Sequence, residues 1–309
     1  MATEYYAKAM QRLNAGGVLL LDGGVSTELQ RRGVAMADEL WSGRVALDQW
    51  QAIVDMHRAY IDAGADVITA NTYASSRLML EPVGLGDKVD EINRRSVEAA
   101  LAARERSGTN DVLIAGSLSH AIPTQIRSEA APVEDSLGDA ALRRAFAEMV
   151  SILPGAGVDL ILLEMMSKPN RMTAVFDAVA GGTVPVWCGL SVKRGDSGEL
   201  VATHDYRVPF QDNIAVAAVE NFDVWGVMHS AADLIGEAVE ALRASRPRML
   251  MAYPDSGYME MPNWQFIDIM LPERFARFAQ DWTQAGVQIV GGCCGLGPEH
   301  IAAIAHLKR

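Results

Sequence analysis

Eight short apolar runs punctuate the 309-residue chain, at residues 18–21, 66–69, 112–115, 159–163, 184–190, 224–228, 249–252 and 287–290. They are rich in Val, Ile and Leu and lack the polar alternation of a strand with one wet face. Runs of this kind belong to strands buried on both faces, as in parallel sheets. Amphipathic stretches follow them at 46–63, 88–106, 142–153, 171–180, 210–221, 232–244, 272–285 and 298–308. In the first, Ile53, Met56 and Tyr60 recur at helical spacing and Gly64 ends the pattern. Pro272 and Pro298 stand where a helix begins, a position that has no use for a backbone N–H. Eight strand–helix units predict an α/β fold, a single (β/α)8 TIM barrel in one domain spanning residues 1–309. An open doubly wound sheet would carry a G-x-G-x-x-G turn after its first strand. The chain has Asp22-Gly23-Gly24-Val25-Ser26 there. Two longer connections, 121–139 and 193–209, fall on the C-terminal face of such a barrel and could fold over a site.

Charge and composition narrow the partners. The net charge is -12 and no Lys/Arg stripe occurs, which argues against nucleic acid and anionic membranes. Residues 1–14 contain no apolar signal core, and no run approaches bilayer length. Three cysteines do not make a disulfide framework, so a reducing, cytoplasmic setting is expected.

Two of those cysteines are adjacent, in Val290-Gly291-Gly292-Cys293-Cys294-Gly295. Neighbouring cysteines rarely bond to each other, because the small ring strains the peptide between them. Two thiolates presented together at a strand end make half a zinc site. The competing reading is a pair of small residues buried in a Gly-rich turn. His229 ends the sixth run, and in a barrel it can converge with the Cys pair at the end of the eighth. One imidazole and two thiolates leave a tetrahedral position open, the pattern of a catalytic zinc. A histidine that only hydrogen-bonds at a helix start is the alternative. Cys188, inside the fifth run, reads as core, and so do Met165, Met166, Met249 and Met251. Other polar residues collect at the predicted strand ends: Asp22, Asn71, Thr72, Tyr73, Ser117, Ser119, Glu164, Ser191, Tyr253 and Asp255.

Together these segments resemble the homocysteine S-methyltransferase family, in its S-methylmethionine-using and betaine-using branches. The resemblance rests on Asp22-Gly23-Gly24 with Glu28-Leu29 and Arg32-Gly33, Leu40-Trp41-Ser42, Ala63-Gly64-Ala65-Asp66 and Asn71-Thr72-Tyr73. It continues through Glu164, Tyr253-Pro254-Asp255-Ser256-Gly257, Gly291 to Gly295, and Pro298-Glu299-His300-Ile301. It implies a homocysteine-binding (β/α)8 barrel, a Zn²⁺ ion, and methyl transfer from a cationic donor to a thiol, giving methionine from homocysteine. Three departures stand out. The family's first zinc ligand is a cysteine in Gly-Val-Asn-Cys, where this chain has Gly226-Val227-Met228-His229. Asp255 replaces the usual asparagine, and Cys-Cys-Gly continues as Leu296-Gly297.

Expectations for the site follow. His229, Cys293 and Cys294 would hold zinc, and the acceptor thiol would fill the open position as the attacking thiolate. With imidazole in place of a third thiolate the metal site would carry no net charge, which lowers the basicity of the bound sulfur and with it the nucleophilicity. Asp22 and Glu164 would take the acceptor's ammonium, with capping of the next turn as the alternative for Asp22. Ser117, Ser119 or the backbone at Gly23 and Gly24 would take its carboxylate. Trp41 and Tyr73 would face the donor's cation, each at about 1–2 kcal/mol when desolvated. Asn71 and Asp255 are placed with them, and Trp264 and Tyr206 are weaker aromatic candidates. Oligomeric state is left open. The competing functions are a relative serving another thiol or donor, a non-enzymatic zinc or redox-sensing protein, and a zinc lyase or hydrolase.

Overall fold

The computed structural model describes residues 2–36, 40–109, 111–121, 138–203, 205–260 and 265–308. Trp264 and most of the 121–139 connection lie outside the described residues, as does the side chain of Tyr206.

Each expected apolar run forms a barrel strand. The strands are Leu19–Leu20, Val67–Ala70, Leu113–Ser119, Leu160–Met166, Val186–Arg194, Val224–Ala231, Met249–Asp255 and Ile289–Val290. Neighbours in sequence pair in parallel, and the eighth pairs with the first through Leu19–Ile289 and Leu20–Val290. A parallel bridge between Leu21 and Val67 completes the ring. The fold is therefore the expected (β/α)8 barrel. Its strands are buried on both faces because they separate two cores. Leu19, Leu21, Val67, Leu113, Ala115, Leu160, Leu162, Trp187 and Met251 fill the interior. Leu20, Ile68, Ile114, Ile161, Leu163, Cys188 and Leu250 face the surrounding helices. Cys188 is thus a core residue; burial pushes its thiol pKa well up and keeps it inert.

Two aspartates stitch the lower end. Asp66 accepts from the Leu20 backbone N–H at 2.8 Å and pairs with Arg12 at 3.0 Å and Lys308 at 2.8 Å. Asp159 repeats the device with the Ile114 N–H and Arg104, both at 2.8 Å, and with Thr3 at 2.6 Å. The helix Glu4–Asn14, capped by Thr3, seals that end. Its Tyr6, Met10 and Leu13 join the interior core, and Trp187 Nε1 donates to the Tyr6 hydroxyl at 3.1 Å.

The upper end differs more from expectation. The third to seventh strands run further than their apolar runs, through polar residues such as Ser117, Ser119, Glu164, Ser191 and Ser230. The 193–209 connection is ordered as a flap: Leu200–Ala202 pairs antiparallel with the extended fifth strand, and Asp205–Pro209 pairs with Leu200–Ala202. Val192 of the fifth strand and Val201 and Ala202 of the flap itself are buried. A second antiparallel hairpin, Tyr258–Glu260 with Gln265–Ile267, follows the seventh strand. The helix expected at 46–63 breaks at Gln49 into Val45–Asp48 and Trp50–Asp62.

Candidate metal and substrate site

The eighth strand ends in a loop whose backbone is tied on both sides. Gly292 N–H donates to Asp22 O at 2.9 Å, Cys293 N–H to Pro254 O at 2.7 Å, and Ser256 N–H to Cys294 O at 2.9 Å. The glycines are needed for contact. A Cβ on Gly24 would lie 2.7 Å from Cys293 O, and one on Gly291 would lie 2.7 Å from Leu21 O. This packing fixes both thiols at the rim.

His229 reaches them from the sixth strand through a kink. Its φ is 41°, in the left-handed region that histidine rarely adopts. The pairing with the seventh strand slips between Met228 and Ala231 at the same point. Ser230 pins the kink, donating to Met228 O at 2.7 Å and accepting from Val192 N–H at 2.9 Å. The imidazole Nδ1 lies 3.6 Å from Cys293 Sγ, and Cys293 Sγ lies 3.9 Å from Cys294 Sγ. The three ligand atoms fall within 4.8 Å of one another. For zinc bond lengths of about 2.3 Å to sulfur and about 2.05 Å to nitrogen, tetrahedral edges are about 3.8 Å (S–S) and about 3.6 Å (S–N). The donor set fits a zinc ion in chemistry and in spacing.

The electrostatics point the same way. The hydrogen bond that the Cys293 thiol donates to Cys294 Sγ, with burial, pushes the Cys293 pKa well up. Burial disfavours charge on His229, but Cys293, Asp255 and Glu164 outweigh it and raise its pKa to about 9. Two sulfurs and two carboxylates crowd one spot, and a divalent cation there would reverse those penalties.

Below the rim lies a polar floor. Asp22 accepts from Thr69 N–H at 2.7 Å and from Thr69 Oγ1 at 2.9 Å, so it braces the second strand and does not cap the helix that follows it. Burial raises its pKa to about 7, against the two Thr69 bonds. Glu164 accepts from the Ser117 hydroxyl, and burial lifts its pKa to about 7 as well. The Tyr253 hydroxyl, buried and without a hydrogen bond of ordinary geometry, sits close enough to steady that carboxylate. Two carboxyl groups held near half-ionisation at neutral pH suit a ligand that brings its own positive charge. Of the two expected glycine N–H donors, that of Gly24 is already bonded to Leu296 O at 3.0 Å.

On the far side of the Cys pair the rings of Trp41 and Tyr73 stand 5.7 Å apart, tilted by 44°. Trp41 also has a left-handed backbone, with φ of 47°. Asn71 holds that turn: its Oδ1 accepts from Ser42 Oγ at 2.6 Å and its Nδ2 donates to Ser42 O at 2.8 Å. Asn71 therefore positions Trp41 and spends part of its amide in doing so. Asp255 faces His229, Oδ2 to Nδ1, at 3.8 Å. A cavity of about 480 Å³ opens beside this pair, bounded by the flap residues Lys193 and Thr203 and by Asp233. Thr69, Ser42 and Ser230 were missed as supporting residues, since short hydroxyl side chains carry no sequence signal of their own. Glu28 and His300, part of the family-like motifs, are structural. Glu28 binds Arg31 and Arg32, and His300 accepts from Gly297 N–H at 3.1 Å.

Comparison with known proteins now bears on the barrel and its rim. The family described as homocysteine S-methyltransferase matches residues 19–307. Homocysteine S-methyltransferase 4 of Zea mays is 29% identical, over 96% of this chain and 90% of that protein. Betaine–homocysteine S-methyltransferase 1 of Danio rerio is 26% identical, over 96% of this chain and 74% of its own length. The metallated form of the homocysteine methyltransferase MmuM from Escherichia coli superposes with a TM-score of 0.75 at 26% identity, covering 96% of this chain and 98% of that one. The chain belongs to the homocysteine S-methyltransferase family and is an S-methyltransferase.

Proposed function

We propose that this enzyme is a zinc-dependent methyltransferase that moves a methyl group from a small cationic donor to homocysteine, giving methionine. The observation that carries the metal is the His229, Cys293 and Cys294 triangle, whose edges at Cys293, 3.6 Å and 3.9 Å, are close to those of a zinc tetrahedron. Zinc bound there would keep the acceptor's sulfur deprotonated and oriented at neutral pH. The chain's own residues do the rest. Glu164 and Asp22 receive the acceptor's ammonium, which restores their ionised forms, and Ser117 holds Glu164 in place. Trp41 and Tyr73 present aromatic faces to a sulfonium or quaternary ammonium, with Asp255 adding negative charge nearby. The barrel, as one domain, excludes water beneath the reacting sulfur. We place the reaction in the reducing cytoplasm, where free thiols persist.

A second reading, with another thiol acceptor or donor, is favoured by His229 itself, which makes the donor set less soft than three thiolates. Both are tested together. Reduced protein is assayed for metal by elemental analysis. It is then offered homocysteine and related thiols against S-methylmethionine, S-adenosylmethionine, betaine and dimethylsulfonio compounds, with products followed by mass spectrometry. One zinc per chain and matched loss of thiol and donor support the proposal. Absence of stoichiometric metal, or reversible thiol oxidation without turnover, would refute it in favour of a redox protein.

A further inference from the structure

We infer that His229 and Asp255 act as one unit at the metal centre, the imidazole supplying the ligand atom and the carboxylate supplying the charge. The inference rests on the zinc reading above and extends it to a positioning residue outside the ligand set. A divalent ion with two thiolates and a neutral imidazole has no net formal charge. A carboxylate against that imidazole makes the assembly singly negative, the same as an ion held by three thiolates. The structure brings the two together by a specific device. The strand slip between Met228 and Ala231 and the left-handed backbone of His229 turn the ring toward Cys293, and the register pairs Ala231 with Asp255. Nδ1 then lies 3.6 Å from Cys293 Sγ and 3.8 Å from Asp255 Oδ2, so the same ring nitrogen meets both, and Asp255 acts on it through space, not through a hydrogen bond. Among the described residues, His229 is the ion-pairing group that Asp255 faces. Asp255 is about a quarter exposed, so its charge is partly desolvated. It acts on His229 and on any cation beside it more strongly than a surface carboxylate would.

This revises the expectation of a neutral site drawn from the replacement of a cysteine by His229. The two departures from the family pattern, histidine at 229 and aspartate at 255, compensate each other. A neutral site would hold an acceptor sulfur with less electron density, and Asp255 returns that density.

The test is a double-substitution cycle on the full-length, zinc-loaded protein, read by competition with a chromophoric zinc chelator at fixed pH. Asp255→Asn keeps shape and removes charge. It is expected to weaken zinc binding about 10–100-fold, the size of effect that groups behind a ligand exert. The absorption spectrum of the cobalt(II)-substituted protein should keep its sulfur–nitrogen character, showing that the ligand atoms are unchanged. In the His229→Cys background the same Asp255→Asn change should cost threefold or less, because the charge is then already present. Asp255→Glu should recover part of the loss and guards against a purely steric effect. Equal costs in both backgrounds, or zinc affinity within threefold of wild type in Asp255→Asn alone, would overturn the inference and leave the zinc reading standing. A wild-type protein that holds no stoichiometric zinc would overturn both.

Discussion

Replacing Glu164 by glutamine should stabilise the protein at neutral pH while crippling acceptor binding. Glu164 is buried and its pKa is raised from 4.5 to about 7. A carboxyl group with a raised folded-state pKa binds more protons folded than unfolded. Stability is therefore highest below pH 4.5 and falls as pH climbs toward 7. A shift of this size corresponds to about 3 kcal/mol, nearly all of it lost by neutrality. Glutamine keeps the acceptor oxygen for the Ser117 hydroxyl and cannot ionise. The unfolding free energies of wild type and Glu164→Gln should coincide near pH 4.5 and diverge with rising pH. Above pH 7 the variant should be more stable by about 3 kcal/mol, or roughly 5 °C or more in melting temperature. Removing the Glu164 charge also lowers the pKa of Asp22, which Glu164 raises, and steepens the divergence. Denaturant titrations from pH 4.5 to 8, without acceptor, measure the difference directly. The same variant should raise the KM for homocysteine about 10–100-fold, the worth of a hydrogen bond to a charged group. A stability difference that is flat with pH, or a variant less stable at every pH, would refute the reasoning.

Three further outcomes are expected. His229→Ala should lower zinc content well below one per chain, and unchanged metal would remove His229 from the ligand set. Trp41→Leu should raise the donor KM about tenfold, leaving the homocysteine KM within twofold, as the loss of one desolvated cation–π contact requires. Gly24→Ala would place a methyl group 2.7 Å from Cys293 O and 2.3 Å from Thr27 Oγ1. It should displace the Cys-Cys loop, destabilise by about 1–3 kcal/mol in thermal unfolding, and reduce zinc affinity together with stability.

The eight strands were legible because each is a short, Val-, Ile- and Leu-rich run of strand length, followed by an amphipathic stretch. Their upper limits were not. Ser117, Ser119 and Ser191 break the apolar runs, although the backbone continues in register through them. The helix Glu4–Asn14 went unnoticed because its purpose is tertiary: it closes the barrel's lower end only once Trp187 and Met251 are gathered inside. The 193–209 connection was expected to fold over the site, but its strand pairing was hidden by the polar turn 194–199, which separates Val192 from Val201 by more residues than they are apart in the sheet. In the site, Cys293, Cys294, His229, Glu164 and Asp22 were readable as chemistry at strand ends. Their partners were not. Asn71 looks like a ligand in sequence, and only its bonds to Ser42 identify it as the support of Trp41.

Trp41, Met165 and His229 all carry backbone conformations that disfavour side chains, and all lie at the barrel's open end. Each costs on the order of 1 kcal/mol, and two of the three, Trp41 and His229, belong to the candidate site itself. A laboratory selection for heat resistance alone would drift first at these three codons, toward glycine or asparagine. The survivors would be sturdy barrels that had lost their grip on metal and methyl donor.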